Sequence, residues 1–277
     1  CSYYLSSFNE SAFLVLDGQG ERHTGTFGYF KENNLEVIDK VDYPHSLGLF
    51  YGMITQFLGF QPDSDEWKVM ALASYGSAKD NKFYDLIDSI IKVDNHGIFT
   101  IDQQYVGYAH PDVHGGRYFS KYFEKNIGIV KRDKNDPILK DHYNLAWACQ
   151  NIFEKTVNKI LNVLSKKTKS KNIVVSGGCF MNSVYNGKIL NETPFENLYI
   201  GSCPDDSGIS IGAALWGFYD KNQKSKRISH DHNYWGPSFD NKIEETIKKY
   251  KLSFEKLKNP SKKAAELISR GNIIGWF

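Results

Sequence analysis

The feature that most constrains the fold of this sequence is a β–turn–α–β–turn–α unit between residues 172 and 219. Asn172–Val175 (NIVV) is an apolar run typical of a buried strand, and it leads directly into the turn Ser176-Gly177-Gly178. A second strand leads through Pro204–Gly208 (PDDSG) into another helical pattern. The predicted elements, in chain order, are strand Asn172–Val175, helix Phe180–Leu190, strand Leu198–Gly201 and helix Ile209–Tyr219. This alternation indicates a mixed α/β protein.

The first forty residues predict a β-meander, because turn-forming segments (DGQG and KENN) separate three short β-type runs. After Pro44 the hydrophobic period becomes that of helices. We predict strands at Ala12–Leu16, Arg22–Tyr29, Leu35–Val41 and Gly97–Ile101, helices at Ser46–Leu58, Trp67–Tyr75 and Phe83–Ile91, a loop around His110–Gly116, and a long helix from Asp136-Pro137 to about Leu164. Residues 241–277 are predicted to form a helix, a strand, a helix and a final strand at Ile273–Phe277.

Composition excludes several classes of function. The 277 residues are 41% hydrophobic and 24% charged, as in soluble globular proteins. A net charge of +2, from 34 basic and 32 acidic residues, gives no electrostatic reason to expect nucleic acid or a membrane as a partner. No apolar stretch approaches the roughly 18 residues of a membrane-spanning helix. Cys1, Cys149, Cys179 and Cys203 form no CxxC pair, which favours a reducing cytoplasm over a disulfide framework.

Two turns of the β–turn–α–β–turn–α unit could carry chemistry. Gly177 and Gly178 would let the main chain approach a ligand closely, and the helix start that follows them favours an anion. They could equally be an ordinary tight turn. Asp206 precedes a helix in which Gly212 would allow close packing of a backbone or a nucleotide. On local sequence alone, Asp206 is better interpreted as a helix N-cap.

Two further candidates lie earlier in the chain. Asp17-Gly18 ends the first predicted strand, and in isolation it reads as a hairpin turn. In chain order, the meander with this turn comes first, then the helices, and then the glycine and aspartate turns. This is the order of parts found in the actin-like, sugar-kinase-like ATPase fold. In such a fold the acidic turn and the glycine turns close around phosphate and its metal. Lys68, at the start of an apolar helix, is either an exposed flank or a cation that reaches a phosphate or carbamoyl oxygen.

Five segments of the chain resemble the O-carbamoyltransferases of nodulation-factor and antibiotic biosynthesis. They occur in the order of that family and span most of the chain, and the second and fourth are highly specific. The segments are LVLDGQGE (Leu14–Glu21), YPHSLGLFYGMITQFLGFQPDSDEWKVMALASYG (Tyr43–Gly76), NLAWACQNIFEKTV (Asn144–Val157), NIVVSGGCFMNSVYNGKI (Asn172–Ile189) and PDDSGISIGAALWG (Pro204–Gly217).

The resemblance implies an actin-like ATPase fold (sugar kinase/Hsp70-like) for residues 1–220, incomplete at the N-terminus, with a variable acceptor-side region at about 83–136. It implies a linker at 221–239. Residues 240–277 would then begin a C-terminal domain similar to the enzyme that makes threonylcarbamoyl adenylate. In the family that second domain forms carbamoyl adenylate from carbamoyl phosphate and ATP. The first domain passes the carbamoyl group to a hydroxyl of a sugar-like acceptor, with the help of Fe(II) or a similar divalent metal.

Matched by position to the family, Asp17 and Asp206 are metal ligands, and Lys68 is the lysine of an Asp-Glu-Gly-Lys phrase. His45 and Ser46 match a Pro-His-Ser-Leu-Gly phrase, and we expect a catalytic role for His45 as for Lys68. The residues that match the nucleotide side of the site are Gly177, Gly178, Asn182 and Gly212. The remaining two metal ligands of the family are histidines that would precede Cys1.

The chain departs from the family pattern in two places near this site. Trp67 stands where the family has glycine, and Ala71–Gly76 (ALASYG) stands where the family has Gly-Leu-Ala-Pro-Tyr-Gly. Two alternatives stay open at the level of sequence. One is a carbamoyltransferase of the hydrogenase-maturation type, which acts on a cysteine of a partner protein. The other is an ATP-binding or kinase-like module that shares only the fold.

Overall fold

A five-stranded mixed sheet organises the computed structural model of the chain. The structure describes residues 1–32, 34–110, 115–222, 225–227, 229–230, 232–234 and 236–276. The strands are β1 (Glu10–Leu16), β2 (His23–Lys31), β3 (Asn34–Asp42), β4 (Ile91–Val93), β5 (Phe99–Ile101), β6 (Asn172–Ser176) and β7 (Asn197–Ile200). The helices are α1 (Ser2–Leu5), α2 (Leu47–Phe57), α3 (Glu66–Ala73), α4 (Tyr84–Ile90), α5 (Lys121–Asn126), α6 (Lys140–Thr168), α7 (Ser183–Asn186), α8 (Ile189–Glu192), α9 (Ile209–Lys221), α10 (Ile243–Lys249) and α11 (Pro260–Ser269).

The strand order in the sheet is β3-β2-β1-β6-β7. β1, β2 and β3 form the predicted antiparallel meander, while β6 and β7 are parallel to β1. β4 and β5 form a separate two-stranded ribbon. The prediction of a mixed α/β protein is therefore confirmed.

Both faces of β1 are buried, as expected for the central strand of such a sheet. Successive side chains of a strand point to opposite faces. Ala12, Leu14 and Leu16 accordingly belong to the main hydrophobic core, whereas Phe13 belongs to a second cluster around Tyr3 and Tyr4. Apolar side chains thus pack against both faces of β1, the strand that ends just before Asp17.

Helix α6 is the long predicted helix, and it buries one side of its 29 residues in the main core. The predicted start at Asp136-Pro137 is wrong, since the helix begins at Lys140. The side chain of the buried Arg132 explains the difference. Its Nε donates to Asp136 O (3.0 Å) and its Nη2 to Lys134 O (3.0 Å), which holds this segment as a loop.

The single helix predicted at Phe180–Leu190 is also wrong. The segment contains a 3-10 turn at Gly178–Met181 and the two short helices α7 and α8. Asn182 interrupts it, because its ψ of 84° is not helical and its side chain caps α7 by accepting from Tyr185 N (3.1 Å).

The chain divides into two compact units, Cys1–Asp231 and His232–Phe277, and the boundary between them falls inside the predicted linker 221–239. The second unit contains a 3-10 turn at Asp240–Lys242 and helices α10 and α11. The strands predicted for it are wrong for the described residues 236–276, which include none. Ile273 is fully exposed, so no neighbouring strand pairs with it there. Phe277, and residues 111–114 of the predicted loop His110–Gly116, lie outside the described residues.

None of the helices in the described ranges is long and apolar enough to cross a membrane. All four cysteines are free thiols.

Candidate functional site

The site forms where β1 and β6 end side by side. Asp17 follows β1, and its Oδ1 accepts hydrogen bonds from Gly18 N (2.8 Å) and from Gly178 N (3.1 Å). The main-chain N–H of Asp17 donates to Thr24 O at 2.9 Å. These bonds fasten the carboxylate between its own hairpin and the glycine turn after β6.

Gly177 allows this close approach. Its φ of +97° lies in a region that residues with a side chain rarely adopt, and a Cβ at this position would lie 2.0 Å from Leu16 O. Its N–H donates to Pro204 O at 2.6 Å, which connects the glycine turn to the loop before Asp205 and Asp206. The glycine pair thus brings together the loops after β1, β6 and β7. It is therefore more than the ordinary tight turn that the sequence had left as an alternative.

Helix α2 secures the Asp17 turn from the other side. Ser46 is the N-cap of α2: its Oγ accepts from Leu49 N (3.0 Å) and lies 3.1 Å from Asp17 O. A Cβ on Gly48 would lie 2.7 Å from Gly18 N, so this helix start packs tightly on the turn. The phrase Pro44–Gly48 therefore positions Asp17 through Ser46 and Gly48.

Asp206 begins the 3-10 turn that precedes α9. The interpretation of Asp206 as a plain N-cap is wrong, because Gly208 occupies the cap position and no side-chain cap hydrogen bond is present. Gly208 packs against the main chain of Cys203, where a Cβ would lie 2.2 Å from Cys203 O. The Asp206 side chain is exposed.

Two cavities, of about 310 Å³ and 540 Å³, share Asp17, Asp205 and Asp206 in their walls. The smaller one also contacts Gly177 and Gly212, and the larger one Gly178 and Asn182. A Cβ on Gly212 would lie 3.2 Å from Cys1, so glycine allows close packing between these two residues in the wall of the smaller cavity. The structure therefore brings together six of the eight residues predicted for the site.

Burial raises the pKa of Asp17 above its ordinary value, and the carboxylates of Asp206 and Asp205 raise it further. The hydrogen bonds from Gly18 and Gly178 act in the opposite direction without cancelling the increase. Carboxylate oxygens are ligands that hard divalent cations prefer, so the donor atoms suit such an ion. Among the described residues, however, no group of three or more His, Cys, Asp or Glu side chains is arranged to hold a metal.

Asn182 lies in the wall of the larger cavity but is held by protein contacts. Its Nδ2 donates to Gln150 Oε1 (2.9 Å), and its Oδ1 accepts from Gln150 Nε2 (3.2 Å). Gln150 also accepts from Tyr51 OH (2.8 Å) and donates to Glu154 (2.8 Å). Lys188 lies 2.7 Å from Glu154, whose side chain is 8% exposed. This buried network fixes the helices beneath the glycine turn.

The structure does not bring Lys68 or His45 to these cavities. Lys68 Nζ pairs with Asp65 at 2.8 Å and lies over the rings of Phe60 and Trp67. His45 Nδ1 accepts from Ile101 N (3.0 Å), which joins the loop before α2 to β5. Within the described residues, neither side chain contributes to the walls of the two cavities.

Several wall residues of the larger cavity were not predicted from the sequence. They include Tyr51, Asp63 and Glu66. Burial raises the pKa of Glu66 above its ordinary value. Trp67, which the sequence marked as standing at the position of the family's glycine, also lies in this wall.

The fold and the site together define an α/β protein in which two acidic turns and a glycine turn converge on shared cavities. Residues 1–215 match the family described as "Carbamoyltransferase N-terminus". The chain belongs to this family, and the resemblance recognised in the sequence is thereby confirmed.

Curated relatives match nearly the whole chain. An uncharacterised protein of Synechocystis sp. is 32% identical over 286 residues, which cover 100% of this chain and 45% of the relative. An uncharacterised protein of Methanocaldococcus jannaschii is 29% identical, with 100% of this chain and 46% of the relative covered. The nodulation protein NolNO of Sinorhizobium fredii is 26% identical, with 99% and 38% covered. The chain thus spans less than half the length of these relatives.

Proposed function

We propose that the protein carrying this chain is an ATP-dependent O-carbamoyltransferase. It moves a carbamoyl group from carbamoyl phosphate, through carbamoyl adenylate, to a hydroxyl of a sugar or other small molecule in the cytoplasm. Family membership supports this function. The single observation in the structure that carries it is the meeting of Asp17, Asp206 and the Gly177-Gly178 turn around shared cavities.

The strand order supports the finer proposal of an actin-like ATPase fold. An antiparallel β1–β2–β3 meander is extended by the parallel strands β6 and β7, and each of these is followed by a turn and a helical segment. Ligands of open α/β sheets bind beyond the carboxyl ends of the parallel strands. Asp17, Gly177 and Asp206 all lie at that edge of the sheet.

In this proposal Asp17 and Asp206 hold Fe(II) or a similar divalent metal. When bound, the metal supplies a Lewis acid for the carbamoyl carbonyl. The N–H of Gly178 keeps the Asp17 carboxylate in place, and Gly177 and Gly212 leave room for the nucleotide. Asn182 acts from the buried network by fixing the glycine turn. The adenylate-forming domain would be a further part of the same protein, beginning near residue 240.

The test is an activity screen of the full-length gene product with carbamoyl phosphate, ATP and candidate sugars. We expect AMP formation that depends on carbamoyl phosphate and an acceptor that gains the mass of one carbamoyl group. Asp17→Asn retains an oxygen that can accept from Gly18 and Gly178, so it should fold while losing activity and divalent-metal content. Asp220→Asn, on an exposed position of α9, is the matched control and should keep both. Absence of carbamoyl-phosphate-dependent ATP turnover, with metal content unchanged in Asp17→Asn, would refute the proposal.

A further inference from the structure

The hairpin next to Asp17 carries a histidine–aspartate pair. His23 begins β2 and Asp42 ends β3, and the strand register places the two residues opposite each other. His23 Nδ1 lies 2.7 Å from Asp42 Oδ1. A neutral imidazole that donates from Nδ1 keeps a lone pair on Nε2. A histidine oriented in this way by a carboxylate has the arrangement of a general base.

Arg22 keeps Asp42 suited to this orienting role. Arg22 Nε donates to Asp42 Oδ2 at 2.9 Å, and Arg22 Nη2 lies 2.7 Å from the same oxygen. The hydrogen bonds from Arg22 and from His23 hold the pKa of Asp42 below its ordinary value. Asp42 therefore stays ionised near neutral pH and retains its hydrogen bond to the histidine.

The pair adjoins the candidate site. His23 is in the wall of the 310 Å³ cavity together with Asp17 and Asp206. The residue after His23 accepts the main-chain hydrogen bond of Asp17, at 2.9 Å, so the hairpin fixes both side chains relative to each other. The other titratable side chains in this wall are Cys1, Cys203 and Asp205, and within its described part His23 is the only imidazole. In the proposed function Asp17 holds the metal, and its Oδ1 already accepts two N–H groups, so we assign the proton transfer to His23.

We propose that His23, oriented by Asp42, is the general base that activates the acceptor hydroxyl. This inference rests on the proposed function. The hydroxyl oxygen attacks the carbamoyl carbon and forms a new C–O bond, while its proton passes to Nε2 of His23. The bond between the carbamoyl carbon and the phosphate oxygen of carbamoyl adenylate breaks, and AMP leaves with the electron pair. Histidine is the side chain that most often takes up a proton in this way.

Two probe nucleophiles test the proposal in the full-length gene product supplied with ATP and carbamoyl phosphate. Water must lose a proton as it attacks, whereas hydroxylamine can attack as the neutral amine. We expect His23→Gln to lower the rate of carbamoyl transfer to water by about 10²- to 10⁴-fold, the usual contribution of a general base. Its rate with hydroxylamine should stay within about threefold of the wild type, because that attack needs no base.

Asp42→Asn is the second variant and should show the same selective loss, because an amide no longer orients the imidazole. His96→Gln, on the exposed turn between β4 and β5, is the control and should change neither rate. Equal losses with both nucleophiles would indicate a structural role, and no loss with water would exclude a base, so either result overturns the inference. A wild-type protein that carbamoylates neither nucleophile overturns the proposed function, and the inference with it.

Discussion

The Gly177→Ala variant tests whether the glycine turn fixes the site as closely as the structure indicates. A Cβ at this position would lie 2.0 Å from Leu16 O and 2.6 Å from Leu16 C, both of them main-chain atoms of the central strand. The φ of +97° adds a conformational cost of about 1–3 kcal/mol for a residue with a side chain. Because β1 is buried on both faces, it cannot move aside easily. We expect a total loss of about 3–5 kcal/mol in the free energy of unfolding.

Urea unfolding followed by tryptophan fluorescence measures this loss. With a slope of ~2.5 kcal/mol per molar urea, a loss of ~4 kcal/mol lowers the midpoint by about 1.5 M. Gly217→Ala is the matched control, since Gly217 lies in α9 and a Cβ added there would meet nothing within 4 Å. Alanine is the better helix former, so this variant should gain about 0.5–1 kcal/mol. A Gly177→Ala protein with the midpoint of the wild type would refute the close approach of the two turns.

Two further predictions concern buried polar groups. Burial lowers the pKa of His142, whose Nδ1 accepts from Leu139 N at 3.0 Å. The unfolded chain therefore takes up this proton at a higher pH than the folded chain, and stability is lost as the pH falls below about 6.5. The urea midpoint should drop less between pH 7 and pH 5 in His142→Gln than in the wild type, and an equal drop would contradict this sign. Lys188→Met should lower the free energy of unfolding by about 2–3 kcal/mol, because Glu154 is left buried without its cation. Lys171→Met breaks an exposed pair with Glu196 and should lower the free energy of unfolding by under ~0.5 kcal/mol. Similar losses in the two variants would show that burial of the pair does not matter here.

The strands and most helices could be predicted because their signals are local. The meander has turn residues between its β-type runs, and α2 has its cap at Ser46, so the ends of these elements lie close to their predicted bounds. The surroundings of Asn182 are different. Besides capping α7, its side chain hydrogen-bonds Gln150, which lies 32 residues earlier on α6, and no local pattern reports that contact.

In the candidate site, too, some positions could be predicted from local patterns and others depend on side-chain contacts. Asp17, Gly177 and Asp206 each end or follow a strand, so topology alone brings them to one edge of the sheet. The direction of the Lys68 side chain depends on Asp65 and on the rings of Phe60 and Trp67, which compete with any ligand for the ammonium group. A match of residue type within a phrase cannot reveal that competition. The catalytic roles predicted for Lys68 and His45 therefore stay predictions.

The electrostatics of the site connect the fold to the proposed chemistry. Burial raises the pKa of Asp17, and the nearby carboxylates of Asp206 and Asp205 raise it further, so its ionised form is disfavoured in the folded protein. This disfavoured ionisation costs stability near neutral pH, and the cost is relieved as the pH falls through the raised pKa. A divalent cation would relieve it without a proton, and its binding would stabilise the folded state by mass action. In the proposed function, the cation held by Asp17 and Asp206 therefore offsets a cost that the fold itself creates at Asp17.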